Sequence, residues 1–392
     1  MTGNATAPRG RLLFVVNEAF FFLSHRRAVA EAARRHGFEV HVAAPPDHVW
    51  APAGFDVAEV EKAGFHFHPL PLARRGKNPL QDLRTLVSLL LLYRRLKPAL
   101  VHLMTIKPVI YGGIAARIAG VPASVSLVTG LGQVFVAKGA RAAILRRFVL
   151  ATYRAAAGHP RSMFVFQNPD NRDVLVRAGS VALERTRVVR GSGVSLPDYA
   201  PVPEPVGAPL TILPARLIWE KGIGEFVAAA RTLRARHPTW RFALVGDTKA
   251  SNPRSVPEAQ IRAWEAENVI EWWGRREDMP AVYAACAVVC LPSTYGEGVP
   301  KALIEAAAAA RAIVTTDIAG CREIVHHEDN GLLVAPGDVD GLARALERVL
   351  LDAELRQRLG ARGRAMCEEG FSEEEIARQM LAIYDEVLAP RP

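Results

Sequence analysis

The chain has 392 residues, which is long enough for two or three domains of ordinary size. Half of its residues are hydrophobic and 23% are charged, a composition that excludes a disordered chain. The longest nearly uncharged apolar stretch near the centre of the first half, Leu86–Tyr93, is too short to cross a bilayer, and no secretory signal is recognisable. The four cysteines form no C-x-x-C pair, so we expect reduced cytosolic thiols.

The net charge of +9 is unevenly distributed along the chain. Residues 1–199 contain 27 Lys and Arg against 12 Asp and Glu, whereas residues 200–392 contain 22 against 28. The segment Leu83–Pro169 contains twelve basic residues and no acidic one. This asymmetry predicts an anionic partner for the first half only, namely an anionic lipid surface, a phosphorylated substrate or a nucleic acid.

Short apolar runs alternate with helix-periodic segments throughout the first half. The predicted strands are Leu12–Val16, Glu39–Ala43, Phe65–Pro69, Leu100–Leu103, Ser124–Val128, Met163–Phe166 and Arg187–Val189. The predicted helices are His25–His36, Pro79–Leu96, Val109–Ala119, Ala140–Ala157 and Asp170–Ala178. Alternation of this kind predicts a parallel sheet that is covered by helices on both faces.

The alternation stops at Leu196–Pro209, whose five prolines predict a linker between domains. Further strands are predicted at Leu210–Leu213, Arg241–Val245, Val269–Trp272, Val288–Leu291, Ala312–Thr315 and Gly331–Val334. The helices of this half are predicted at Gly222–Ala235, Pro257–Glu267, Met279–Ala285, Lys301–Ala309 and Val339–Leu351. We therefore predict an α/β fold of two Rossmann-like parallel-sheet domains, residues 1–195 and 205–371, that face a cleft. The last helix, within 372–392, is a candidate to pack back on the first domain.

A first group of candidate site residues follows the predicted strand Val288–Leu291. Glu297 and Glu305 flank Gly298 and Pro300. Pro300 suits the first position of a helix, Gly298 lets the backbone approach a ligand, and the N–H groups at a helix start suit a phosphate. Capping by Glu297 and solvation of Glu305 would be the structural alternative. The glycine, the proline and the apolar surroundings of Glu305 favour a functional interpretation.

Arg216 and Lys221 form a second group, between the first strand and the first helix of the second domain. Two cations at the carboxyl edge of a sheet, beside a helix start, would neutralise a departing diphosphate. An exposed arginine and an ion-paired lysine would be the structural alternative. The glutamate pair at the same edge of the sheet favours the diphosphate.

With these residues the second half resembles the retaining nucleotide-sugar glycosyltransferases of family 4, which have the GT-B fold. The E-x7-E motif of that family matches Glu297 and Glu305, and its R-x4-K pair matches Arg216 and Lys221. The likeness extends through residues 191–194, 274–278, 315–317 and 330–331. Within the family, the chain is most similar to bacterial N-acetylhexosaminyltransferases that act on undecaprenyl-diphosphate-linked saccharides.

The resemblance implies a role for each of these side chains. Glu297 would contact the transferred sugar, Glu305 the ribose hydroxyls, and Arg216 and Lys221 the leaving diphosphate. The other donor-binding residues would be Gly298, Val299, Pro300, Leu303, Arg275 and Gly193. It also implies transfer with retention from a UDP-sugar substrate, with no metal or other cofactor. Asp338 opens a predicted helix after Pro336 and Gly337, so it is expected to cap that helix rather than to bind a metal.

The candidate acceptor-binding residues in the first domain are Asn17, Ser24, His25, Arg26, Lys107, Thr129 and Gly130. Ser24 is a plausible helix cap, and His25 or Arg26 could contact an acceptor phosphate; capping and solvation are the alternative. The loop Thr129–Gly132 resembles that of relatives that extend polyprenyl-diphosphate-linked sugars, although it lacks the histidine of many relatives and its glycines could equally form a tight turn. His102 is expected to be a core histidine.

The helix predicted at Ala140–Ala157 lies within the acid-free segment and is a candidate membrane-binding element. It places four arginines among apolar residues, and a basic amphipathic helix of this kind can lie on an anionic bilayer. An ordinary sheet-covering helix with solvated arginines is the alternative. The absence of carboxylates over Leu83–Pro169 favours a membrane-facing surface.

We therefore predict a cytoplasmic hexosyltransferase, peripheral on the inner face of the cytoplasmic membrane. It would move a sugar, expected to be an N-acetylhexosamine, from a UDP-sugar to a lipid-diphosphate-linked saccharide in bacterial surface-glycan or glycoprotein assembly. A nucleotide-sugar epimerase on the same fold is the first alternative. A basic membrane- or nucleic-acid-binding protein without catalysis is the second, but it leaves Glu297 and Glu305 unexplained, and we expect no nucleic-acid partner. No G-x-G-x-x-G follows the first strand, which disfavours a dehydrogenase.

Overall fold

A computed structural model describes residues 9–47, 51–52, 54–72, 78–131, 135 and 139–390 of the chain. The chain divides into two compact units. The first unit consists of Met1–Ser192 together with Glu373–Pro392, and the second consists of Gly193–Ser372.

The first unit is built on a parallel sheet of seven strands in the order β3-β2-β1-β4-β5-β6-β7. The strands are β1 (Arg11–Val15), β2 (Glu39–Ala44), β3 (His66–Pro69), β4 (Leu100–Met104), β5 (Ala123–Val128), β6 (Ser162–Phe166) and β7 (Thr186–Val188). The helices among them are α1 (Ala19–Arg35), α2 (Ala58–Lys62), α3 (Pro79–Leu96), α4 (Gly113–Ala119), α5 (Ala140–Ala157) and α6 (Pro169–Arg177). Along β1, Leu12 and Phe14 enter one hydrophobic core while Leu13 and Val15 enter the other, which explains the unbroken apolar run of this strand.

The second unit has a parallel sheet of six strands in the order β10-β9-β8-β11-β12-β13 around one large core. The strands are β8 (Leu210–Pro214), β9 (Arg241–Val245), β10 (Glu271–Trp272), β11 (Val288–Leu291), β12 (Ala312–Thr316) and β13 (Leu332–Val334). The helices are α7 (Ile223–Arg236), α8 (Glu258–Ala266), α9 (Met279–Ala284), α10 (Lys301–Ala308), α11 (Ala319–Arg322), α12 (Val339–Leu351) and α13 (Ala353–Gly370). The predicted α/β class with two Rossmann-like parallel sheets is confirmed.

Two features of the second unit differ from the sequence prediction. The segment 196–209, predicted as a linker, belongs to this unit, and its beginning packs on it: Leu196 and Tyr199 contact the core, and Arg364 donates to both of their carbonyl oxygens at 3.3 and 3.0 Å. Helix α13 was not predicted at all. Glycines such as Gly360 weaken the helical pattern of its sequence. A Cβ atom on Gly360 would lie 2.2 Å from the carbonyl oxygen of Ala310, so close packing explains the glycine at this position.

The final helix, α14 (Glu373–Leu388), packs on the first unit, mainly against α1. Its Tyr384 hydroxyl lies 2.5 Å from Nδ1 of His102, which is fully buried on β4. Burial lowers the pKa of His102 to about 3, so the ring is neutral at physiological pH. His102 is therefore the core histidine that the sequence predicts. No helix in the described ranges is both long and apolar enough to span a bilayer.

Candidate active site

The strand order places the second-unit candidate residues at one point of the sheet. Strands β8 and β11 are neighbours, and the chain winds outward from them in opposite directions. Ligands of such sheets bind in the crevice at the carboxyl ends of these two strands, where the direction of winding reverses. This place is the switch point of the sheet. Arg216 and Lys221 follow β8, and Glu297 follows β11, so all three lie at this crevice.

Lys221 and Glu297 form an ion pair there. Lys221 Nζ donates to one carboxylate oxygen of Glu297, and Ser293 Oγ donates to the other. The two charged side chains are only 11% and 9% exposed. Charges removed from water to this degree require such partners, because an unpaired buried charge is strongly unfavourable. The pair is thus a fixed part of the site and not a loose surface contact.

Glycines bring the loops of the site into backbone contact with each other. A Cβ atom on Gly222, directly after Lys221, would lie 2.0 Å from the carbonyl oxygen of Pro292. A Cβ atom on Gly320 would lie 1.5 Å from the carbonyl oxygen of Gly298. The Thr294 N–H also donates to the Glu220 carbonyl at 2.9 Å. These contacts fix the backbones that carry Lys221 and Glu297.

Glu305 lies on the second turn of α10 and is 7% exposed, so it is not the solvated helix residue of the structural alternative. The Tyr283 hydroxyl lies 3.0 Å from its Oε2, and Lys301 Nζ lies 3.6 Å from its Oε1. Burial and the neighbouring carboxylate raise the pKa of Tyr283 well above its usual value, so this hydroxyl keeps its proton and donates. Glu305 is therefore a positioned carboxylate at the amino-terminal part of a helix.

The residues between the two glutamates support the backbone of the site. Pro300 occupies the N-cap of α10 and not its first helical position, because the helix begins at Lys301. Val299 and Leu303 belong to the hydrophobic core, with Leu303 fully buried. Gly298 is buried and contacts Gly320. The sequence therefore located the element correctly, and the donor contacts expected of Val299 and Leu303 remain predictions.

The remaining second-unit candidates lie on other loops. Arg216 is exposed, and the amide that follows it bonds the Asp247 carbonyl at 2.9 Å. Arg275 is half-buried after β10, next to Gly274, whose carbonyl accepts a bond from the Gly246 N–H at 2.7 Å. Gly193 is buried with a φ of 80° near the start of the unit, a backbone conformation that favours glycine.

Sequence reasoning missed Ser293 and Tyr283, which bind the two glutamates. Ser293 is four positions before Glu297, but its orientation depends on Thr316, whose hydroxyl donates to the Ser293 carbonyl at 2.6 Å. Tyr283 reaches Glu305 from α9, 22 positions earlier in the chain. No local pattern in the sequence signals either contact.

In the first unit, four acceptor candidates lie at the carboxyl edge of the sheet, on the neighbouring strands β1, β4 and β5. Asn17 follows β1, Lys107 follows β4, and Thr129 and Gly130 follow β5. Lys107 Nζ lies 2.8 Å from Asp82. Thr105, between β4 and Lys107, has a φ of 74°, which is rare for a β-branched residue and typical of functional edges. Gly132, the last residue of the predicted loop motif, lies outside the described residues.

The other three acceptor candidates lie within α1, which begins six residues earlier than predicted. The prediction of Ser24 as a helix cap is wrong, because its hydroxyl donates to the Phe20 carbonyl at 2.8 Å inside the helix. His25 stacks on Phe21 and contacts Ser24. Arg26 is 2% exposed and donates to the Gly191 carbonyl at 3.3 Å, so it lies beneath the surface. Burial lowers its pKa to about 10.

Asp338 has the predicted capping role. Its Oδ1 accepts a bond from the Gly341 N–H at 2.8 Å at the start of α12. A carboxylate in this position compensates the free N–H groups of the first helical turn.

Comparison with known families assigns both halves of the chain. Residues 11–157 match the family described as "Glycosyl transferase 4-like", and residues 199–366 match "Glycosyl transferases group 1". The two matched regions together cover most of the chain.

Similar proteins of assigned activity cover the chain at modest identity. The chain is 25% identical over 388 residues to an N,N'-diacetylbacillosaminyl-diphospho-undecaprenol alpha-1,3-N-acetylgalactosaminyltransferase of Campylobacter jejuni, covering 94% of this chain and 98% of the relative. It is 27% identical over 303 residues to a UDP-Gal:alpha-D-GlcNAc-diphosphoundecaprenol alpha-1,3-galactosyltransferase of Escherichia coli, covering 73% and 75% of the two chains.

Solved structures share the fold along the whole chain. Sucrose-phosphate synthase from Thermosynechococcus elongatus has a TM-score of 0.79 at 19% identity, with 96% of this chain and 99% of that one covered. Anabaena Alr3699/HepE, in complex with UDP and glucose, has a TM-score of 0.76 at 20% identity, with 96% and 100% covered. At these identities the likeness establishes the fold only.

Two Rossmann-like sheets and the likeness to solved structures give the protein the GT-B fold. The two family matches make it a glycosyltransferase. Within that class, the chain belongs to the glycosyltransferases with a 4-like first domain and a group 1 second domain. The resemblance read from the E-x7-E and R-x4-K motifs is confirmed.

The contact of Gly320 with the Gly298 carbonyl provides a test of how the site is built. We expect Gly320→Ala to displace the loop that carries Glu297, because the new Cβ atom has no space. Overpacking of this kind costs about 1–3 kcal/mol, and misplacement of a site by about 1 Å costs about a hundredfold in rate. Urea denaturation and sugar transfer would measure the two effects.

Gly370→Ala is the matched control, because a Cβ atom on Gly370 meets no atom within 4 Å. It should leave stability and transfer near the wild-type values. A Gly320→Ala variant that transfers sugar at the wild-type rate would contradict the close contact between Gly320 and the Gly298 carbonyl.

Proposed function

We propose that this glycosyltransferase transfers a hexose or N-acetylhexosamine from a UDP-sugar, with retention, to a lipid-diphosphate-linked saccharide. The observation that carries the proposal is the ion pair of Lys221 and Glu297 at the switch point of the second sheet, with Arg216 exposed on the same loop as Lys221. The place and the charge of these groups suit an activated sugar that leaves a diphosphate.

The leaving group determines what the site must supply. When the bond between C1 of the sugar and the diphosphate oxygen breaks, negative charge develops on the diphosphate. Preorganised cations and a helix start stabilise such charge without reorganisation. Lys221, Arg216 and the amino end of α10 supply these groups. Because they do so, we propose that the transfer uses no metal ion or other cofactor.

The two glutamates would act on different parts of the donor. Glu305 is buried and held by Tyr283, so its carboxylate is oriented to accept hydrogen bonds from the ribose hydroxyls. Glu297, held by Lys221 and Ser293, would accept hydrogen bonds from hydroxyls of the transferred sugar. No side chain is assigned as a covalent nucleophile.

The relatives support the choice of substrates. The Campylobacter and Escherichia proteins are named for transfer of N-acetylgalactosamine and galactose to diphospho-undecaprenol-linked sugars, and the second name specifies a UDP donor. Both names specify alpha linkages. Since UDP-galactose is itself an α-glycoside, an α product means that the anomeric configuration is retained. Acceptor binding would involve Asn17, Lys107, Thr129 and Gly130 of the first unit.

Donor binding and stereochemistry test this proposal together. Glu305→Gln should weaken binding of the UDP-sugar about 10- to 100-fold, because hydrogen bonds to a charged group contribute about 1.5–3 kcal/mol. Titration calorimetry measures the affinity, and proton NMR of the product should show an α linkage.

Glu354→Gln, on the exposed surface of α13, is the matched control and should bind the donor like the wild type. A β-linked product would contradict retention. Unchanged donor affinity of Glu305→Gln would contradict the ribose role. Conversion of the donor alone to its epimer would show an epimerase instead.

We also propose that the enzyme works in the cytoplasm, bound peripherally to an anionic membrane that carries its lipid-linked acceptor. Two helices of the first unit present apolar side chains to solvent. They are Leu80, Leu83, Val87 and Leu91 on α3 and Ile144 and Phe148 on α5, between 45% and 76% exposed. Both helices pack against residues 108–119, so they lie in one layer on the same face of the sheet.

Basic residues flank this apolar surface. Arg84, Arg94 and Arg95 are exposed on α3, and Arg141 and Arg147 are exposed on α5. Only Tyr153 and Ala156 of α5 are fully buried, and half of the residues of that helix are exposed and available to a partner. Exposed apolar residues surrounded by cations suit an anionic lipid surface, where the apolar groups enter the headgroup region.

Vesicle binding tests the membrane surface. The double variant Ile144→Ser/Phe148→Ser should bind anionic vesicles at least about tenfold more weakly, because burial of each side chain contributes about 1.5–3 kcal/mol. Co-sedimentation should also weaken with added salt.

Leu351→Ser removes an equally exposed apolar residue from the second unit and should have no effect. If the double variant sediments with vesicles like the wild type, α5 does not contact the membrane.

A further inference from the structure

A group of three histidines and one glutamate, which we call the histidine cluster, lies at the amino ends of β2 and β3. Glu39 is the first residue of β2, and His66 is the first residue of β3. The register of these parallel strands places His41 opposite His66 and Ala43 opposite His68. Because side chains two positions apart leave a strand on the same face, all four side chains of the cluster share one face of the sheet.

The atoms that could bind a metal converge within this cluster. His41 Nε2 lies 3.2 Å from Glu39 Oε1, and His66 Nε2 lies 3.6 Å from the same oxygen. The three ligand atoms all lie within 4.8 Å of one another. Ligands of tetrahedral zinc, at about 2.0–2.1 Å from the metal, are about 3.3 Å apart. The distances from the two imidazoles to Glu39, 3.2 and 3.6 Å, are close to this spacing.

The partners of these groups orient them toward the common point. His41 Nδ1 lies 3.0 Å from His68 Nε2, and Arg11 Nε donates to Glu39 Oε2 at 3.0 Å. Contacts of this kind, on the ring nitrogen or carboxylate oxygen that does not face the metal, are typical of metal sites because they fix the tautomer and the orientation of each ligand.

His41 gives an independent indication of a ligand. Its side chain is 6% exposed, and its buried Nε2 contacts Glu39 Oε1 at 3.2 Å without the alignment of a full hydrogen bond. A buried polar atom in a native protein normally has a partner. In this cluster the atom faces Glu39 Oε1 and His66, the place that an ion would occupy.

We propose that Glu39, His41 and His66 bind one divalent transition-metal ion of the zinc class, with water in the open position. Two imidazoles and one carboxylate are ligands that suit zinc, and three protein ligands leave room for water. His68 acts as the outer partner of His41. The ion would tie the edge strand β3 to β2 and thereby stabilise the first unit.

This metal site is separate from sugar transfer. The cluster lies at the amino ends of the strands, whereas Asn17, Lys107 and Thr129 lie at the carboxyl edge of the same sheet. The ion is therefore not expected to contact the substrates, and the site does not depend on the proposed donor or acceptor.

The test uses the full chain without an affinity tag, stripped with a chelator and dialysed against Zn²⁺. Elemental analysis should find one zinc ion bound per chain in the cluster, and Zn²⁺ should raise the melting temperature because it binds only the folded state. His66→Gln should lose this ion and the thermal shift. His68→Leu should bind it about 10- to 100-fold more weakly, since only an outer partner is removed.

One control variant and a check of the fold complete the comparison. His36→Gln is the matched control, because His36 also contacts a carboxylate, that of Asp385, but belongs to no group of three possible metal ligands among the described residues; it should bind zinc like the wild type. His66 is 63% exposed, so its replacement should leave the fold intact, as circular dichroism would show. Equal zinc binding by the wild type and His66→Gln, or none by either, would overturn the proposal and leave only a chain of contacts from His68 through His41 to Glu39.

Discussion

The buried ion pair of Lys221 and Glu297 is the interaction on which the site depends. The two residues are 76 positions apart in the chain, and both side chains are largely removed from water. Breaking a buried pair by removing one partner typically costs about 3–5 kcal/mol, so the surrounding backbone must hold both partners in place. Gly222 and Gly320 allow this because neither has a side chain. Gly222 can therefore lie against the carbonyl oxygen of Pro292, and Gly320 against that of Gly298. Closely packed loops of this kind suit a site whose charges must stabilise a transition state without rearranging.

Much of the fold could be predicted from the sequence, because parallel strands that are buried on both faces consist of unbroken apolar runs. The apolar side chains of β1 enter two cores, one on each face of the sheet. Runs of this kind that alternate with segments of helical periodicity indicate the α/β fold class. Helix α13 could not be predicted, since its glycines weaken the helical pattern and become understandable only when Gly360 is seen against Ala310. The proline-rich segment 196–209 gave no sign that Arg364 and the core of the second unit would hold it.

The site was predictable where its residues are close in sequence and not where they meet through the sheet. Glu297 and Glu305 lie in one motif, and the glycine and proline between them specify a turn into a helix. The contacts of Glu297 with Lys221 and of Glu305 with Tyr283 require knowledge of which strands are neighbours. The histidine cluster could not be predicted for the same reason, because only the register of β2 and β3 places His41 opposite His66. Leu303 is a donor candidate by its position in the motif, and the motif alone does not indicate that its side chain lies in the core.

The most direct test of this account is the affinity for UDP, measured by titration calorimetry on the wild type, Lys221→Met and Glu297→Gln. If Lys221 neutralises the diphosphate, Lys221→Met should bind UDP at least about tenfold more weakly, the effect of a lost charge-assisted hydrogen bond. Glu297→Gln removes the carboxylate that competes for the same ammonium group, so it should bind UDP as tightly as the wild type or more tightly. Wild-type affinity in a folded Lys221→Met variant would contradict the central claim.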